Sequence, residues 1–366
     1  MRLLLVGNYP ADGQKSMLAY AQMLLRGLRA AGVEVELTAP RAVLLPKGLM
    51  PAGLAKWIAY IDKFIIFPVY LVLAARRFDR THVCDHSNGM YLLWLPRTRS
   101  SVTCHDVIAI QAARGLVTGW HTGFTGKVLQ ALNLRGVARA RRIVCVSDLT
   151  RMQLLDLRHD LAARTTVIRH ALHADFRIDR AWREVLAANG LGALADAPFF
   201  LHVGSDHPRK NRVAVARIFA ALLRARRFAN ARLVFVGPPP DAPTREVIAE
   251  SGFAARVRTV EDASHVLLVA LYSGAQALIF PSLNEGFGWP IVEAQACGCP
   301  VFASNRAPFP EVGADAAVYF DPGDYAAAAT TIETADFEAM RLAGFDNAAR
   351  FSTDEMIRKL IAVVGS

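Results

Sequence analysis

The strongest constraint on the fold is an alternation of strand-like runs with helical patterns that occurs once and then starts again. In the first half the runs are RLLLVG, VEVELT, THVC, SVTC, RRIVCV and TTVIRH, with a helix over about 15–31. In the second half they are FFLHVG, RLVFVG, RVRTV, ALIF and PVFAS, with a helix over 211–227. Strands that alternate with helices form parallel sheets, so the sequence predicts two α/β domains, each a doubly wound parallel sheet.

The two sets of strands are separated by an irregular polar segment and an Ala-rich helix between residues 174 and 198. We place the boundary near residue 178, which gives domains of 1–178 and 179–366, and the last helix is free to pack back on the first domain. A length of 366 residues fits two domains. Because doubly wound sheets bind ligands at the carboxyl ends of their strands, we expect a binding cleft where the two domains face each other.

Basic residues are concentrated in the first half of the chain. Residues 1–180 contain 25 Lys and Arg against 12 Asp and Glu, whereas residues 181–366 contain 17 against 20. A half with a net charge of +13 is expected to meet an anionic partner, such as nucleic acid, a phosphorylated substrate or an acidic membrane surface. The sequence contains no recognisable module of basic and aromatic residues for nucleic-acid recognition, so no nucleic-acid partner is expected.

Cysteine usage and the amino terminus indicate a cytoplasmic protein. The five cysteines are scattered and form no CxxC, which argues against a disulfide framework and a zinc ribbon. The chain runs from Met1 directly into a strand-like stretch, so we expect no signal peptide. The longest apolar run, 64–75, is interrupted by Pro68 and is shorter than the roughly 20 residues that span a bilayer.

Residues 47–80 interleave aromatic and cationic side chains, among them Trp57, Tyr60, Lys63 and Arg76. This composition suits a helix that lies in the interface of an anionic membrane, which would make the protein peripheral on the cytoplasmic face of the inner membrane. A buried crossover helix has the same composition. Both interpretations stay open.

The most informative motif is PSLNEGFGWPIVEA, which follows the strand-like ALIF. Pro290 suits the first turn of a helix and places Glu293 one turn inside it. The backbone amides of 286–288 then lie ahead of a helix N-terminus, an arrangement that suits a diphosphate. Glu285 and Glu293 are suited to accept hydrogen bonds from sugar and ribose hydroxyls. The alternative is a loop carboxylate and a carboxylate that only stabilises the helix end.

Two cations occupy the first turn of the second domain. The sequence HVGSDHPRKN places Arg209 and Lys210 shortly after the first strand of that domain, at its carboxyl end. A solvated run of charge is the usual explanation. Lysine is nevertheless scarce in this chain, with 7 Lys against 35 Arg, which gives Lys210 more weight.

The corresponding turn of the first domain reads GNYPADGQKSM. Its spacing fits neither a phosphate-binding P-loop nor the GxGxxG of a dinucleotide site. A glycine there either lets the backbone approach a ligand or forms an ordinary turn. His105 and Asp106 follow SVTC, where Asp106 is also suited to cap a short helix. His82, Cys84 and His86 alternate along a strand, which places them poorly for a tetrahedral metal site.

Together these motifs resemble the retaining glycosyltransferases of family 4, which have the two-domain GT-B fold. Glu285 and Glu293 match the two glutamates of the E-x7-E signature of that family, and Lys210 matches its diphosphate-binding lysine. His105 and Asp106 match its histidine motif. The sequence departs from the family pattern where Ser205 replaces a frequent arginine, and where Gly13 stands beside Asp12 in place of paired glycines in the acceptor-side loop.

The resemblance implies a role for each matching residue. Glu293 would bind the ribose hydroxyls, and Glu285 with Gly286, Phe287 and Gly288 would bind the donor sugar. Lys210 would bind the diphosphate with Arg209. His105 would contact the sugar near its anomeric carbon.

The implied function is transfer of a hexose, with mannose from GDP-mannose preferred, to a lipid-linked or polysaccharide glycan, as in bacterial mannosyltransferases of polysaccharide assembly. The chain contains no DxD, so we expect neither a metal nor any other cofactor. Three alternatives remain: a transferase that uses a UDP-sugar, a sugar-nucleotide epimerase or hydrolase of the same fold, and a non-catalytic scaffold that binds membrane or partner proteins.

Overall fold

The computed structural model describes residues 1–44, 58, 60–117 and 119–366. It divides into two compact units. Unit 1 comprises Met1–His173 with Ser352–Ser366, and unit 2 comprises Ala174–Phe351. The chain therefore enters unit 2 at Ala174, slightly before residue 178, and its last helix belongs to unit 1.

Unit 1 is built on a six-stranded parallel sheet in the order β2-β1-β3-β4-β5-β6. Its strands are β1 (Arg2–Val6), β2 (Glu34–Thr38), β3 (Arg80–Val83), β4 (Ser100–Cys104), β5 (Arg142–Cys145) and β6 (Thr165–Val167). β1 lies between β2 and β3, with Leu3 paired to Val35 on one side and to Arg80 on the other. Strands of a parallel sheet are covered on both faces, and every residue of the central strand β4 is accordingly buried.

The helices of the first part of unit 1 are α1 (Lys15–Ala30), α2 (Phe67–Ala75), α3 (Ile108–Ala113), α4 (Phe124–Arg139) and α5 (Asp148–Leu157). α2 continues a π-helical segment, Asp62–Ile66. Its buried residues Phe67 and Leu71 join the core that Val6, Val83 and Val102 form on the sheet.

Unit 2 repeats the architecture with the order β12-β11-β10-β7-β8-β9, again with all strands parallel. Counted from β7, this is the 3-2-1-4-5-6 order of dinucleotide-binding folds. Its strands are β7 (Phe199–Val203), β8 (Arg232–Val236), β9 (Val257–Val260), β10 (Ala277–Phe280), β11 (Val301–Ser304) and β12 (Ala317–Phe320). The predicted α/β class, with two doubly wound parallel sheets, is thus confirmed.

The helices of unit 2 are α6 (Trp182–Ala188), α7 (Arg212–Leu222), α8 (Ala242–Glu250), α9 (His265–Gly274), α10 (Trp289–Ala296), α11 (Phe309–Gly313), α12 (Tyr325–Thr334) and α13 (Phe337–Ala348). The final helix of the chain, α14 (Thr353–Gly365), packs in unit 1, where Ile357 meets Gly27 of α1.

Two sequence-based expectations about unit 2 were wrong. The helix expected over 211–227 ends at Leu222, because the chain then turns into a short 3-10 segment, Arg226–Phe228, that buries Phe228 in the core. The sixth strand, β12, was missed. It is only four residues long, and Ala-rich sequence precedes it.

The apolar segment at 64–75 forms the end of the π-helical segment and α2. Part of its surface is buried, and another part exposes Ile65, Val69, Tyr70 and Leu73. Trp57 and most of 47–59 lie outside the described residues. None of the helices in the described ranges is long and apolar enough to cross a bilayer.

Candidate functional site

The residues singled out in unit 2 lie at the point where its strand order reverses. The chain leaves β7 toward β8 on one side, and β10 later returns to pair with β7 on the other. Arg209 and Lys210 follow β7, and Glu285 follows β10. Because ligands of doubly wound sheets bind at this reversal, the sheet itself brings these three side chains together.

Lys210 and Arg209 both pair with Glu285. Lys210 Nζ lies 2.5 Å from Glu285 Oε1, and Arg209 Nη1 donates to Glu285 Oε2. Arg209 Nη1 also donates to the carbonyl of Asn284 over 3.1 Å. Lys210 and Glu285 are each only 9% exposed. The cluster therefore holds two cations and one anion, of which Lys210 and Glu285 have little access to water and Arg209 is half-buried.

Local backbone geometry places Lys210 at this point. Pro208–Lys210 forms a 3-10 turn that ends at Asn211 in the left-handed region, with φ of 52°, and α7 begins directly afterwards. Lys210 thus precedes α7 instead of opening it. A side chain at Gly204 would lie 3.2 Å from Lys210 Cδ, so the lysine runs close along the backbone at the end of β7.

The charge on Glu285 is held in place by its partners. Burial by itself raises the pKa of Glu285, but Lys210 and Arg209 outweigh it and the pKa lies below its usual value. Glu285 is therefore ionised at neutral pH. The cluster as a whole carries a net charge of about +1, which suits an anionic ligand.

Glu293 lies in a different environment from Glu285. It sits in the second turn of α10, is 4% exposed, and accepts a hydrogen bond of 2.9 Å from the hydroxyl of Tyr272. Burial raises the pKa of Glu293 to about 7, which the bond from Tyr272 only partly offsets. A carboxyl group with this pKa changes its charge near neutral pH.

The glycine loop between the two glutamates leads into α10. Gly288 caps the helix with φ of 102°, a conformation that side chains rarely adopt, and a Cβ there would lie 3.2 Å from Phe309. Phe287 is buried, with its ring 5.8 Å from that of Phe351. Gly286 completes the turn. The loop thus brings backbone close to any ligand at the start of α10.

Ser205, the position where the family often has arginine, is exposed. Its hydroxyl lies 3.5 Å from the backbone nitrogen of His207, a long contact. The side chain therefore adds no charge to the cluster around Lys210.

The residues singled out in unit 1 also follow the carboxyl ends of strands. β1 and β3 flank the reversal of strand order in this sheet. Asn8 after β1 donates to Asp85 after β3 over 2.6 Å, and to Gln14 over 2.5 Å. Gly13, beside Gln14, ends a 3-10 turn with φ of 67°, where a Cβ would meet no atom within 4 Å. The first loop is thus tied to the end of β3.

His105 is enclosed by other residues of unit 1. Its Nε2 lies 2.8 Å from the carbonyl of Cys84 and its Nδ1 lies 3.0 Å from His170 Nε2. A carbonyl only accepts, so Nε2 carries the proton and Nδ1 accepts from His170. Burial lowers the pKa of His105, in keeping with a neutral ring. Tyr20 packs edge-on against both imidazoles at 4.8 Å.

Asp106 bonds to the first residue of the following helix. Its Oδ1 accepts a hydrogen bond of 3.0 Å from the backbone nitrogen of Ile108, at the start of α3. Val107 occupies the N-cap position of this helix, so Asp106 supports the helix start from one residue ahead of the cap.

An Asp–His pair beside His105 was not identified from the sequence as a functional group. His86 Nδ1 lies 3.1 Å from Asp85 Oδ1, and both side chains are buried. Burial lowers the pKa of His86, but Asp85 outweighs it and the pKa lies above its usual value. Burial raises the pKa of Asp85, but His86 and Ser87 bring it well below its usual range. Each partner thus favours the charged form of the other.

His82 and His86 do not share a strand face as a metal site would need. β3 ends at Val83, and Asp85 caps a 3-10 segment that begins at His86. His82 instead bonds to Ser101 and Thr103 of β4. In the described part of the chain no three His, Cys, Asp or Glu side chains are arranged to hold a metal ion.

Two family models match this sequence, one for each unit. Residues 19–176 match the model of Glycosyltransferase Family 4, and residues 188–336 match that of Glycosyl transferases group 1. The chain belongs to the family 4 type of glycosyltransferase. The two matched segments together cover most of both units.

Two relatives and one solved structure place this glycosyltransferase among others of its type. It is 31% identical over 189 residues to the O-antigen chain mannosyltransferase B of Escherichia coli, covering 50% of this chain and 49% of the relative. It is 31% identical over 174 residues to a D-inositol 3-phosphate glycosyltransferase of Thermobispora bispora, covering 45% and 40%. The matched segments thus span about half or less of these relatives.

The fold is similar to that of sucrose-phosphate synthase from Thermosynechococcus elongatus, with a TM-score of 0.74, 19% identity, and coverage of 99% of this chain and 98% of that one. At this identity the similarity concerns the fold, and it agrees with the GT-B architecture expected from the sequence.

Proposed function

We propose that the chain is a retaining glycosyltransferase that transfers a hexose from a nucleotide diphosphate donor bound by unit 2. The observation that carries the proposal is the cluster of Lys210, Arg209 and Glu285 at the reversal of the strand order. One buried and one half-buried cation fit the diphosphate, and a carboxylate between them fits the sugar hydroxyls.

Donor binding would rearrange this cluster. The diphosphate competes with Glu285 for Lys210 and Arg209, since phosphate and carboxylate groups both pair with these cations. Glu285, released from one or both, would accept a hydrogen bond from a hydroxyl of the sugar. The ion pair with Glu285 thus holds the cations in position until the donor replaces it.

Glu293 would bind the ribose. Its carboxylate, which is 4% exposed, would accept hydrogen bonds from the two ribose hydroxyls. The start of α10, with Gly288 at its cap, would support the phosphates through its partial positive charge.

In the proposed step, the bond between the anomeric carbon and the diphosphate oxygen breaks, and its electron pair leaves with the diphosphate. The acceptor hydroxyl forms the new bond on the same face, and its proton passes to the departing phosphate oxygen. Lys210 and Arg209 stabilise the negative charge that develops on the leaving group. Two cations perform the task for which other transferases use a divalent metal, so we propose that no metal is required.

GDP-mannose is the proposed donor, and a lipid-linked or polysaccharide glycan is the proposed acceptor. The similarity to an O-antigen chain mannosyltransferase over half of this chain supports both assignments. The chain is similar to a D-inositol 3-phosphate glycosyltransferase over a comparable share of its length, so the test below includes a second nucleotide donor.

We further propose that the protein works in the cytoplasm at an anionic membrane surface. The exposed apolar residues Ile65, Val69 and Leu73, together with Arg76, support this contact. A lipid-linked acceptor would be presented at such a surface.

A thermal unfolding series tests the donor assignment. GDP, UDP, GDP-mannose and UDP-glucose are each added with and without EDTA, since a ligand that binds only the folded state raises its Tm. We expect GDP and GDP-mannose to raise the Tm, and we expect each ligand to give the same rise with EDTA as without it. A rise only with the UDP series reassigns the donor, a rise abolished by EDTA contradicts metal independence, and no rise with any compound supports the scaffold alternative.

A further inference from the structure

Unit 1 contains a pocket at the amino ends of its strands, opposite to the site residues of unit 1 described above. The pocket has a volume of about 380 Å3 and includes Thr81 at the start of β3, and Pro96 and Arg99 ahead of β4. His105, Asp85 and Gly13 follow the carboxyl ends of strands. Because all six strands are parallel, the pocket lies at the amino ends of the strands and those residues lie at the carboxyl ends.

The walls of the pocket are apolar and its remaining residues are mostly cationic. Phe78 and Leu95 are buried at its base, and the indole of Trp94 is 57% exposed. Three arginines from three different elements complete it: Arg76 after α2, Arg99 before β4, and Arg139 at the end of α4. No Asp or Glu of the described residues lines it.

The arginines exceed what the neighbouring helix ends require. Cations commonly follow helix C-termini, where the dipole amounts to roughly half a negative charge, and both α2 and α4 end at this pocket. Two helix ends thus supply about one negative charge, against three guanidinium groups. None of the three has a carboxylate partner in the described part of the chain. About two positive charges remain without compensation.

The apolar surface continues outward from the pocket. Val72 of α2 lines it, and Val69 and Leu73 of the same helix are exposed at 63% and 57%. A ligand whose anionic group meets the arginines would therefore find an apolar path along α2. Guanidinium groups bind phosphate with two parallel hydrogen bonds, which makes phosphate the best match among common anions.

We propose that this pocket binds the phosphate of an amphiphile, that is, a phosphate ester that carries an apolar chain. The arginines hold the phosphate, and the chain lies against Trp94, Leu95 and α2. The ligand is either a soluble ester or the headgroup of a membrane lipid, which share this chemistry. The site belongs to unit 1 alone, and the proposal does not depend on the donor site of unit 2.

The chain offers a matched set of control positions. Arg77, Arg97 and Arg135 are exposed, lie on or beside the same three elements, and do not line the pocket. The triple variant R76Q/R99Q/R139Q and the control R77Q/R97Q/R135Q remove the same charge from the same region. All six positions are on the surface, so we expect both variants to fold, and their Tm values check this.

The first measurement titrates dihexanoyl phosphatidic acid, below its micelle concentration, and follows tryptophan fluorescence. We expect saturable binding that shifts the emission of Trp94, a signal lost in Trp94→Phe. The pocket variant should bind at least about tenfold more weakly, and the control variant about as well as the wild type. Equal weakening in both variants, or no binding to the wild type, overturns the proposal.

Two further ligands identify what the pocket recognises. Inorganic phosphate lacks the chain and dihexanoyl phosphatidylcholine lacks the net negative charge, so each should bind at least about tenfold more weakly than the acid. Binding of either with equal affinity contradicts the proposal. Sedimentation with phosphatidylglycerol vesicles then distinguishes the sources: dependence on the same three arginines assigns a membrane lipid, and binding of the short-chain acid alone assigns a soluble ester.

Discussion

Lys210 and Glu285 come from turns after two different strands and form an ion pair of 2.5 Å that is shielded from water. The resemblance to known transferases assigns one residue to the diphosphate and the other to the sugar. In the structure each compensates the charge of the other. The proposed donor site is therefore preassembled as a salt bridge, and we expect its energetics to influence both the stability of unit 2 and the affinity for the donor.

Removal of one partner should cost more than removal of both. Lys210→Met leaves Glu285 buried with only Arg209, and we expect a loss of about 3 kcal/mol, which lowers the Tm by several degrees. K210M/E285Q leaves no unpaired carboxylate, so its loss should be clearly smaller than the sum of the two single losses. Calorimetric unfolding of the four proteins measures this coupling, and additive losses would contradict a direct pair.

The pH dependence of stability should reveal Glu293. Its pKa is about 7 in the folded protein and 4.5 in an unperturbed chain, so the folded state binds the proton more tightly. Its contribution to stability is present below pH 4.5 and is lost as the pH rises toward 7, at most about 3 kcal/mol.

Glu293→Gln should therefore gain stability relative to the wild type between pH 5 and pH 8. Glu355→Gln, an exposed carboxylate of α14, is the control and should follow the wild type in this range. Tm values at the two pH values make the comparison. If the difference between wild type and Glu293→Gln does not change with pH, the pKa of Glu293 is not raised.

Gly288 should tolerate no side chain. Ala at a φ of 102° is strained, and its Cβ would press on Phe309, so we expect Gly288→Ala to cost about 1–3 kcal/mol and to weaken donor binding. Gly192→Ala is the matched control, since a Cβ there makes only ordinary contacts from 3.4 Å. Equal Tm values for the two variants would show that the left-handed cap is not required.

His105 should contribute to the stability of unit 1. His105→Ala leaves the carbonyl of Cys84 and the ring nitrogen of His170 without their partner, which we expect to cost about 2–3 kcal/mol. Transfer rates measured well below the Tm of both proteins then separate this role from contact with the sugar. A lower rate there supports the contact, and an unchanged rate leaves His105 a purely structural role.

The sequence predicted the strands and the residues at their carboxyl ends better than it predicted their contacts. Lys210 lies after β7, Glu285 after β10 and Glu293 in α10, as their motifs indicated. Which of these residues contact each other depends on the order of the strands in the sheet, and the hydrophobic pattern of the sequence does not predict that order. Tyr272 of α9 gave no local signal at all, because only tertiary packing brings its hydroxyl to Glu293.

Unit 1 shows the same limit. In the sequence HVCDHS possible metal ligands occur at every second position, but the strand ends at Val83 and the following turn produces the Asp85–His86 pair. Asp85, two residues before Ser87, was the available signal for such a turn, since an Asp side chain accepts a hydrogen bond from the backbone nitrogen two residues ahead. The arginine pocket was outside the reach of sequence reasoning, because Arg76, Arg99 and Arg139 are separated along the chain.

The most direct test of the central claim is calorimetric titration of GDP-mannose into the wild type, Lys210→Met and Lys127→Met, each with EDTA and at a temperature where all three are folded. Lys127 is a lysine of unit 1 on α4, far in sequence from the donor motifs. We predict that the wild type and Lys127→Met bind with the same Kd and that Lys210→Met binds at least about tenfold more weakly. Equal affinity in all three proteins would contradict a donor site at the Lys210–Glu285 pair.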